Sequence, residues 1–515
     1  MPNRFRVGVA ESELKPMLKR TAIIILCLSL ILKLSGFLRE GLLAKLFGAN
    51  HATDGFLLAY TFLTLLMLIV STGFNKVFLP LYTKTSKTKP DGTARSANAL
   101  LNISIIFFAL LGLLSYLLLP IIAPAVFQFI DPMTRRVAVA TGRVFSLFLF
   151  VLTLNGMLES YLQAKRSFVP THLAKLSGTL FSALFGLFFA KRLGIESFAY
   201  GFIFGTMVGV VIQIYYLLKS RYAWRFEIKM DDEFRKPFFM LLWPALLSAV
   251  VGPVNTFVDK LFASSSVGGA VTFLNNASLI VSIPSVIYTT TIGAIVFTLL
   301  SENTGSKPPF YRLLKTGMTL GFLLFVPIAV ALGMIGNDAI AFIYQRGAFT
   351  KADTIQTYDV LILYTPLIAT QGVQVMVSNA LYALEQTKHF MKLSVTTVAM
   401  NIILNYLFLK GFGFKGLALS SSLVAVYYLF TSVLLLSRVF DHRCFHHLWQ
   451  SFGRVVLPTM IMALALFGIK QWPGFDHLYS LWRLFIEIVI GTAVYLLATY
   501  LFNRTGLKEF LKVLR

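Results

Sequence analysis

Charged side chains near the N-terminus lie inside a segment that is otherwise apolar. Residues 21–32 carry no charge, and the helical pattern continues through Lys33, Arg39 and Glu40 towards Gly48. A helix from residue 21 to residue 48 would be ~42 Å long, against ~30 Å for the hydrocarbon core of a bilayer. The three charges therefore fall at membrane depth or near one interface. Each costs at least ~2.5–3.5 kcal/mol there unless it is paired or faces water.

Such charges usually mark a substrate path. Cationic groups that face a buried chamber imply an anionic substrate group, since arginine offers a planar fork for phosphate and lysine adds a point charge. We therefore predict that Lys33 and Arg39 bind an anionic substrate, and that Glu40 and Asp54 balance the charge of this site. The alternative is a Lys33–Glu40 pair, seven residues apart on one helix face, that only fixes helix packing.

The sequence contains none of the familiar catalytic or metal-binding patterns. We find no GxxxxGKS phosphate loop, no HExxH, no GxSxG and no Cys/His cluster. This predicts a transporter rather than an enzyme, with no catalytic residue, no metal site and no cofactor. Without a nucleotide-binding domain, transport would be driven by the membrane potential, a monovalent ion or the supply of substrate.

The composition places the chain in a membrane. Hydrophobic residues make up 57% and charged residues 13%, whereas soluble domains carry about 25% charged residues. The apolar runs predict an all-α polytopic protein with about fourteen transmembrane helices, near 17–46, 54–81, 97–122, 137–163, 169–190, 197–218, 237–263, 268–300, 314–336, 356–382, 391–409, 416–437, 455–469 and 480–503.

The net charge of +24 is distributed unevenly across the membrane. Lys and Arg concentrate in the loops on one side, as the positive-inside rule requires of the cytoplasmic side. We therefore expect a multi-pass membrane protein with both termini in the cytoplasm. Membrane lipids, and not nucleic acid, are the partners that these basic loops predict.

The longest polar stretch, 219–236, follows the sixth predicted helix and suggests a linker between two lobes. AKLFG at 44–48 is echoed by DKLFA at 259–263, which favours a parallel duplication. The predicted organisation is an N-terminal lobe, a cytoplasmic linker, a C-terminal lobe and two extra helices with a tail, at 1–218, 219–236, 237–438 and 439–515.

The duplication extends the predicted site to the second half. Substrate sites of duplicated transporters lie between the halves near the midplane. Asp259 and Lys260 occupy the repeat position of Ala44 and Lys45, so we add both to the substrate-binding residues.

Helix-breaking residues interrupt the same helices. Gly36 lies among the first charges, Gly252 and Pro253 interrupt the seventh predicted helix, and Pro284 lies in the eighth. Such residues are tolerated where neighbours or water satisfy the freed backbone groups. We predict that they act as hinges; packing kinks are the alternative.

Other charges in the apolar helices suggest simpler roles. Lys175 and Asp359 lie near predicted helix ends, where long side chains can reach the headgroups. Arg483 and Glu487, four residues apart, predict an ordinary pair along one helix.

Several stretches carry a family resemblance. They are Ser35-Gly36-Phe37-x-Arg39-Glu40, Ala44-x-x-Phe47-Gly48, Thr53-Asp54-x-Phe56-x-x-Ala59, Tyr344-Gln345-Arg346-Gly347-Ala348-Phe349-Thr350, Asn401-Ile402-x-x-Asn405 and Gly413-x-x-Gly416-Leu417-Ala418. Together these stretches resemble the MurJ/MviN family of lipid II flippases, in the multidrug/oligosaccharidyl-lipid/polysaccharide exporter superfamily.

The resemblance implies fourteen helices in two six-helix lobes, with two C-terminal helices that form a lipid-facing groove. The activity it implies is alternating-access transfer of an undecaprenyl-pyrophosphate-linked peptidoglycan precursor, lipid II, from the cytoplasmic to the outer leaflet. The family's cavity cations correspond to Lys33 and Arg39, and their acidic neighbours to Glu40 and Asp54. Cell-wall synthesis proteins are implied as possible partners.

Two positions depart from the family pattern. This chain has Met67-Leu68 where the family has an arginine pair, and Ser278-Leu279 where it commonly has an arginine. A flippase for another polyprenyl-linked oligosaccharide is therefore an alternative. A cation-coupled drug antiporter of the same superfamily is another, although its cavity would be dominated by carboxylates. A non-transporting scaffold for envelope synthesis is a third, and the short loops argue against it.

Overall fold

The computed structural model describes residues 4–220, 224–440, 443–475, 478–504 and 506–508. Within these ranges the side chains of residues 4–23, 26, 247–252, 294, 387–388 and 443 are left undescribed. The helices are α1 (Arg4–Phe47), α2 (His51–Thr88), α3 (Pro90–Val126), α4 (Pro132–Leu147), α5 (Leu149–Ala164), α6 (Val169–Leu193), α7 (Glu196–Lys219), α8 (Asp232–Ala263), α9 (Ala270–Tyr288), α10 (Ala294–Glu302), α11 (Lys307–Tyr344), α12 (Lys351–Leu363), α13 (Thr365–Ala383), α14 (Thr387–Phe412), α15 (Lys415–Val439), α16 (Arg443–Lys470) and α17 (Ser480–Phe502).

The predicted all-α membrane architecture is confirmed. Over the described residues, ten helical segments are long and apolar enough to cross a membrane, or twelve if each of two bent pairs is one span. The predicted number of fourteen is not reached by this count. Two helices that the sequence also assigns to the membrane, α1 and α8, contain undescribed side chains and are not included in it.

Two predicted helices are each split into a bent pair. The helix predicted at 137–163 is α4 and α5, which are bent by 57°, and the one at 356–382 is α12 and α13, bent by 46°. Pro366 is the second residue of α13. Proline lacks an amide hydrogen and disfavours helical geometry in the preceding residue, so it ends α12 and starts a new helix.

The helix predicted at 268–300 changes its winding in the middle. A π-helical turn, Thr289–Gly293, separates α9 from α10. The Asn379 side chain donates a hydrogen bond to the Gly293 carbonyl at 3.0 Å, and the Thr291 hydroxyl donates to the Ile287 carbonyl at 2.6 Å. These bonds satisfy acceptors within and beside the altered turn.

The chain divides into two compact units. Unit 1 contains the residues up to Leu46 together with His51–Pro253, and unit 2 contains Phe47–Asn50 and the residues from Val254 onwards. The dividing point falls inside α8. The predicted lobe boundaries at 218 and 236 stay a prediction.

Aromatic packing explains why the start of α8 belongs to unit 1. The Phe234 ring lies 6.2 Å from Phe78 and the Phe238 ring 5.6 Å from Phe74, all four side chains being buried. The preceding connection is also held, because the Asn102 amide donates hydrogen bonds to the carbonyls of Arg225 and Glu227 at 3.1 and 3.0 Å. The described part of the 219–236 linker is therefore fixed to α3.

A row of glycines brings α6 and α7 together in unit 1. Gly201, Gly205 and Gly209 recur every four residues along α7. A Cβ atom on Gly205 would lie 2.8 Å from the Gly178 Cα on α6, and one on Gly209 would lie 2.8 Å from the Ala174 carbonyl oxygen. Small residues at this spacing let helix backbones approach closely in a membrane.

Buried charges attach the C-terminal helices within unit 2. The Arg483 guanidinium lies 2.7 Å from the Asp338 carboxylate, and the Lys470 ammonium lies 3.2 Å from Glu487 and 3.5 Å from Asp338. Lys470 also donates to the Met334 carbonyl at 2.6 Å. Arg483 and Glu487, which the sequence predicts as a pair along α17, thus take part in a network that joins α11, α16 and α17.

Candidate substrate-binding site

Arg39 and Glu40 form a buried ion pair in unit 1. Their side chains are 8% and 3% exposed, and an Arg39 terminal nitrogen donates to a Glu40 carboxylate oxygen. The sequence predicted both residues for the site and left open whether their side chains would meet. Neighbouring residues project about 100° apart on an ideal helix, so their contact depends on side-chain conformations that helical periodicity does not specify.

An aromatic ring covers the arginine. The Arg39 guanidinium carbon lies 4.2 Å from the centroid of the Tyr60 ring, a cation–π distance. Tyr60 packs in turn against Phe145 and Phe202, at ring separations of 6.2 and 5.2 Å. Arg39 Nε is buried and has no hydrogen-bond partner among the described residues. The guanidinium is thus held by charge and by stacking, and one of its donors remains unused.

The other predicted residues of the first hairpin are placed separately. Lys33 is exposed, six residues before Arg39 on α1. Asp54 is 1% exposed in the first turn of α2, where a carboxylate is stabilised by the helix dipole. Arg39 and Glu40 therefore meet directly, whereas Lys33 is presented at the surface of unit 1.

Beside Tyr60, unit 1 contains a cavity of about 230 Å³. We call it the unit 1 cavity. Its walls come mainly from α2, α5, α6 and α7, and the described lining residues are Leu32, Tyr60, Thr64, Met67, Leu68, Ser71, Leu152, Asn155, Gly156, Glu159, Ala174, Lys175, Gly178, Thr179, Phe202 and Thr206. Met67 and Leu68, which depart from the family pattern, thus lie on the wall of this cavity.

Two lining residues of this cavity, Glu159 and Lys175, form an ion pair. The Lys175 ammonium donates to a Glu159 carboxylate oxygen at 2.6 Å. Glu159 also accepts from Gln163 Nε2 at 3.1 Å and from the Ser71 hydroxyl at 3.2 Å. The sequence suggested that Lys175 would reach the headgroups; instead it pairs across helices, because a carboxylate on α5 lies within its reach.

Unit 2 has a smaller cavity of about 200 Å³ lined by Asp259 and Lys260, and we call it the unit 2 cavity. Lys260 is 7% exposed and donates to the Asn275 side-chain oxygen at 2.7 Å. Ser278, the other position that departs from the family pattern, also lines the cavity. Lys45 and Lys260 occupy equivalent positions of the predicted repeat, but Lys45 is exposed whereas Lys260 is buried. The two side chains therefore have different surroundings.

Two hydrogen-bond donors contact Asp259. Its carboxylate accepts from Asn405 Nδ2 at 2.7 Å and from the Ser421 hydroxyl at 3.0 Å. Asn405 also donates to the Asn401 side-chain oxygen at 3.1 Å, and its own Oδ1 is buried without a hydrogen-bond partner among the described residues. Two donors therefore hold the Asp259 carboxylate, and the Asn405 Oδ1 is a further acceptor oxygen on a side chain that contacts it.

The predicted hinges differ in their surroundings. A Cβ atom on Gly36 would meet nothing within 4 Å, so packing does not require glycine there. Pro284 lies inside α9, five residues before the π-helical turn, and Pro253 lies inside α8. The side-chain environment of Gly252 lies outside the described residues. Hinge motion at these positions stays a prediction.

Sequence reasoning missed Tyr60 and the pairing partners of the buried charges. Glu159 and Lys175 are 16 residues apart and lie on different helices. Asn405 and Ser421 are 146 and 162 residues from Asp259. The available signal was that each is a polar residue in an apolar helix, which indicates a role but not a partner.

The chain is similar to known proteins over most of its length. The family model described as "Lipid II flippase MurJ" matches residues 43–489. A "Probable lipid II flippase MurJ" of Buchnera aphidicola subsp. Acyrthosiphon pisum is 26% identical over 485 residues, covering 90% of this chain and 91% of that protein. A "Lipid II flippase MurJ" of Thermosipho africanus is 27% identical over 485 residues, covering 93% and 95%.

Solved structures show the same fold. "Lipid II flippase MurJ, inward closed conformation" aligns with a TM-score of 0.81 at 22% identity, covering 94% of this chain and 99% of that one. An inward-facing multidrug resistance MATE family transporter of the MOP superfamily aligns with a TM-score of 0.67 at 15% identity, covering 82% and 99%. The MATE comparison shows the fold alone.

Proposed function

This chain belongs to the lipid II flippase MurJ family, and from that premise we propose that it carries lipid II from the cytoplasmic to the outer leaflet by alternating access. The observation that carries the proposal is the family match over residues 43–489. The chain also covers 90% or more of the two relatives named above, with a similar share of each relative covered. The assignment therefore concerns the whole transporter and not one shared segment.

The cations of α1 fit a pyrophosphate-linked substrate. Arg39 has an unused donor, Nε, and a guanidinium can contact phosphate oxygens through two N–H groups. Lys33 adds an exposed charge on the same helix. Glu40 holds Arg39 when no substrate is bound and Asp54 contributes to the local field. In this proposal a phosphate replaces Glu40 as the principal partner of Arg39.

The protein acts as a transporter and not as an enzyme in this proposal. Its helices assign it to the bacterial inner membrane as a multi-pass protein, with a lipid-linked glycan as substrate and membrane lipids as surroundings. We further propose that both termini are cytoplasmic, because the basic loops favour that side. Contacts with cell-wall synthesis proteins, but none with nucleic acid, belong to the same proposal.

We propose that transport is coupled to the membrane potential or to a monovalent cation. The Asp259 carboxylate and the Asn405 Oδ1 support this, since both are acceptor oxygens, they belong to side chains that contact each other, and the Asn405 oxygen has no hydrogen-bond partner among the described residues. A bound cation would reduce the cost of keeping the Asp259 carboxylate charged within the bundle.

The experiment that tests the function is lipid II translocation in reconstituted vesicles. Purified protein is inserted into vesicles that carry lipid II on one leaflet, and its arrival on the other is followed with an impermeant enzyme or reagent. We expect rapid transfer of lipid II and much slower transfer of other undecaprenyl-linked glycans. Transfer at the rate of protein-free vesicles would refute the proposal, and preference for another glycan would assign the chain to that alternative.

A further inference from the structure

The unit 1 cavity has a basic residue that the proposed function has not used. Lys175 lines it together with Met67 and Leu68, which carry no charge. Among the described residues that line the cavity, Lys175 is the basic one. A lysine kept inside an apolar bundle needs either a structural partner or a ligand, and the geometry gives Lys175 room for both.

The bond to Glu159 uses only part of the hydrogen-bonding capacity of the Lys175 ammonium. Its side chain is 42% exposed, whereas that of Glu159 is 7% exposed. An ammonium has three N–H groups, and one of them bonds to Glu159. Gln163 and Ser71 also donate to the same carboxylate. If Lys175 turns towards a ligand, Glu159 therefore keeps two neutral donors.

Asn155 supplies a second reason to expect a ligand. It lies one turn before Glu159 on α5, is 4% exposed, and lines the same cavity. Its side-chain oxygen is buried without a hydrogen-bond partner among the described residues. Buried acceptors are normally satisfied, so this oxygen favours a ligand that brings a hydroxyl or an amide N–H.

The size of the cavity limits what it can hold. Its volume of about 230 Å³ lies below the ~300–1,000 Å³ of pockets that enclose whole small ligands. A single acidic group with the polar atoms next to it fits these dimensions, whereas a complete glycopeptide does not. The cavity therefore suits one part of a large headgroup.

We propose that the unit 1 cavity is a subsite for an acidic group of the lipid-linked substrate, a phosphate or a carboxylate, bound by Lys175. Asn155 accepts a hydrogen bond from a neighbouring hydroxyl or amide of the same headgroup. Glu159 is a positioning residue that keeps the ammonium at the cavity wall. The identity of the substrate in this inference rests on the proposed function. The position of the Lys175 charge in the cavity does not depend on it.

The test measures binding separately from transport. Full-length protein in detergent is titrated with undecaprenyl pyrophosphate, lipid II and uncharged undecaprenol, for the wild type and for Lys175→Met and Lys175→Arg. Loss of a charge-assisted hydrogen bond should weaken binding of the anionic lipids about tenfold or more. Undecaprenol should bind equally to all three proteins, and Lys175→Arg should retain most of the affinity.

The two anionic lipids identify the source of the acidic group. Weaker binding of both assigns the subsite to the phosphate, because undecaprenyl pyrophosphate has no carboxylate. Weaker binding of lipid II alone assigns it to a carboxylate of the peptide. Unchanged affinity of Lys175→Met for both lipids overturns the inference.

A double variant separates ligand binding from simple charge balance. If Lys175 only neutralises Glu159, Lys175→Met combined with Glu159→Gln should restore wild-type binding and stability. If Lys175 binds the substrate, the double variant should regain stability but still bind the anionic lipids weakly. Restored binding in the double variant would overturn the inference. Translocation by the wild type is measured in parallel, so failure of the proposed function is recognised independently.

Discussion

Arg39 and Glu40 are adjacent in sequence, and yet their side chains pair with each other inside unit 1 while the Arg39 guanidinium rests 4.2 Å from the Tyr60 ring centroid. The arrangement holds a buried cation whose hydrogen-bonding capacity is not fully used, since Arg39 Nε has no hydrogen-bond partner among the described residues. A cation so held can exchange its carboxylate partner for a phosphate. The Arg39 side chain also stabilises the fold, so its replacement should affect both stability and transport, and the two effects must be measured separately.

Arg39→Ala should destabilise the protein and abolish translocation. Breaking a buried pair from one side leaves an uncompensated charge and costs about 3–5 kcal/mol. Thermal unfolding in detergent measures the first effect and lipid II translocation the second. Arg39→Ala with Glu40→Gln removes both charges and should recover most of the stability but none of the transport. Transport by this double variant at the wild-type rate would contradict a role for Arg39 in substrate binding.

Lys33→Ala should affect transport without affecting stability. Lys33 is exposed, and substitutions at exposed sites usually change the free energy of unfolding by no more than about 0.5 kcal/mol. We expect at least a tenfold loss of translocation, measured in vesicles at matched protein content. Lys45→Ala is the control, because Lys45 is also exposed and lies on the same helix. Equal transport by the two variants would remove Lys33 from the site.

Gly36→Ala tests the predicted hinge in α1. The added methyl group meets nothing within 4 Å, and alanine favours the helix by about 1 kcal/mol relative to glycine. The variant should therefore be at least as stable as the wild type. If α1 must bend at Gly36, translocation should nevertheless fall several-fold. Gly411→Ala in α14 serves as the control, because a Cβ atom there also meets nothing within 4 Å. An unchanged translocation rate for Gly36→Ala would show that α1 does not need to bend at Gly36.

The charge network of the C-terminal helices should be important for stability. Lys470→Met removes the positive charge that lies beside Glu487 and Asp338. The Glu487 side chain is 0% exposed, so water does not replace that charge. We expect a loss of about 3–5 kcal/mol in the free energy of unfolding. Lys470→Met with Glu487→Gln should recover at least half of it, as read from denaturation midpoints in detergent. Wild-type stability of the single variant would show that water and Arg483 already compensate the network.

Asp259→Asn should remove any dependence of transport on small cations. Translocation is compared in sodium, potassium and choline salts, with and without an imposed membrane potential. We expect the wild type to be slowest in choline, and Asp259→Asn to be equally slow in all three. Asp359→Asn is the control, since Asp359 pairs with Lys415 at 2.7 Å on other helices and should keep the wild-type response. A variant at Asp259 that still distinguishes the salts would place the coupling group elsewhere.

The sequence was sufficient to predict an all-α membrane protein and its family. Apolar runs specify membrane helices because a bilayer requires every backbone polar group to be satisfied within the segment. The motifs around Arg39 and Arg346 carried the family resemblance, which the family match over residues 43–489 confirms. Charges inside an apolar segment, such as Arg39 and Glu40, could be recognised as costly residues from the sequence alone.

Only the tertiary structure decided which partner each of these charges has. Lys175 pairs with Glu159 across 16 residues, and Asp259 bonds to Ser421 across 162. Helical periodicity fixes which face of a helix is apolar, but the partner depends on which helices pack together and how side chains turn at the contact. The bend between α12 and α13 follows from Pro366, whereas the pairing of Arg39 with Glu40 and its stacking on Tyr60 depend on rotamers and on packing by α2. Long-range packing, and not local pattern, therefore determines how the charged groups of this protein are held.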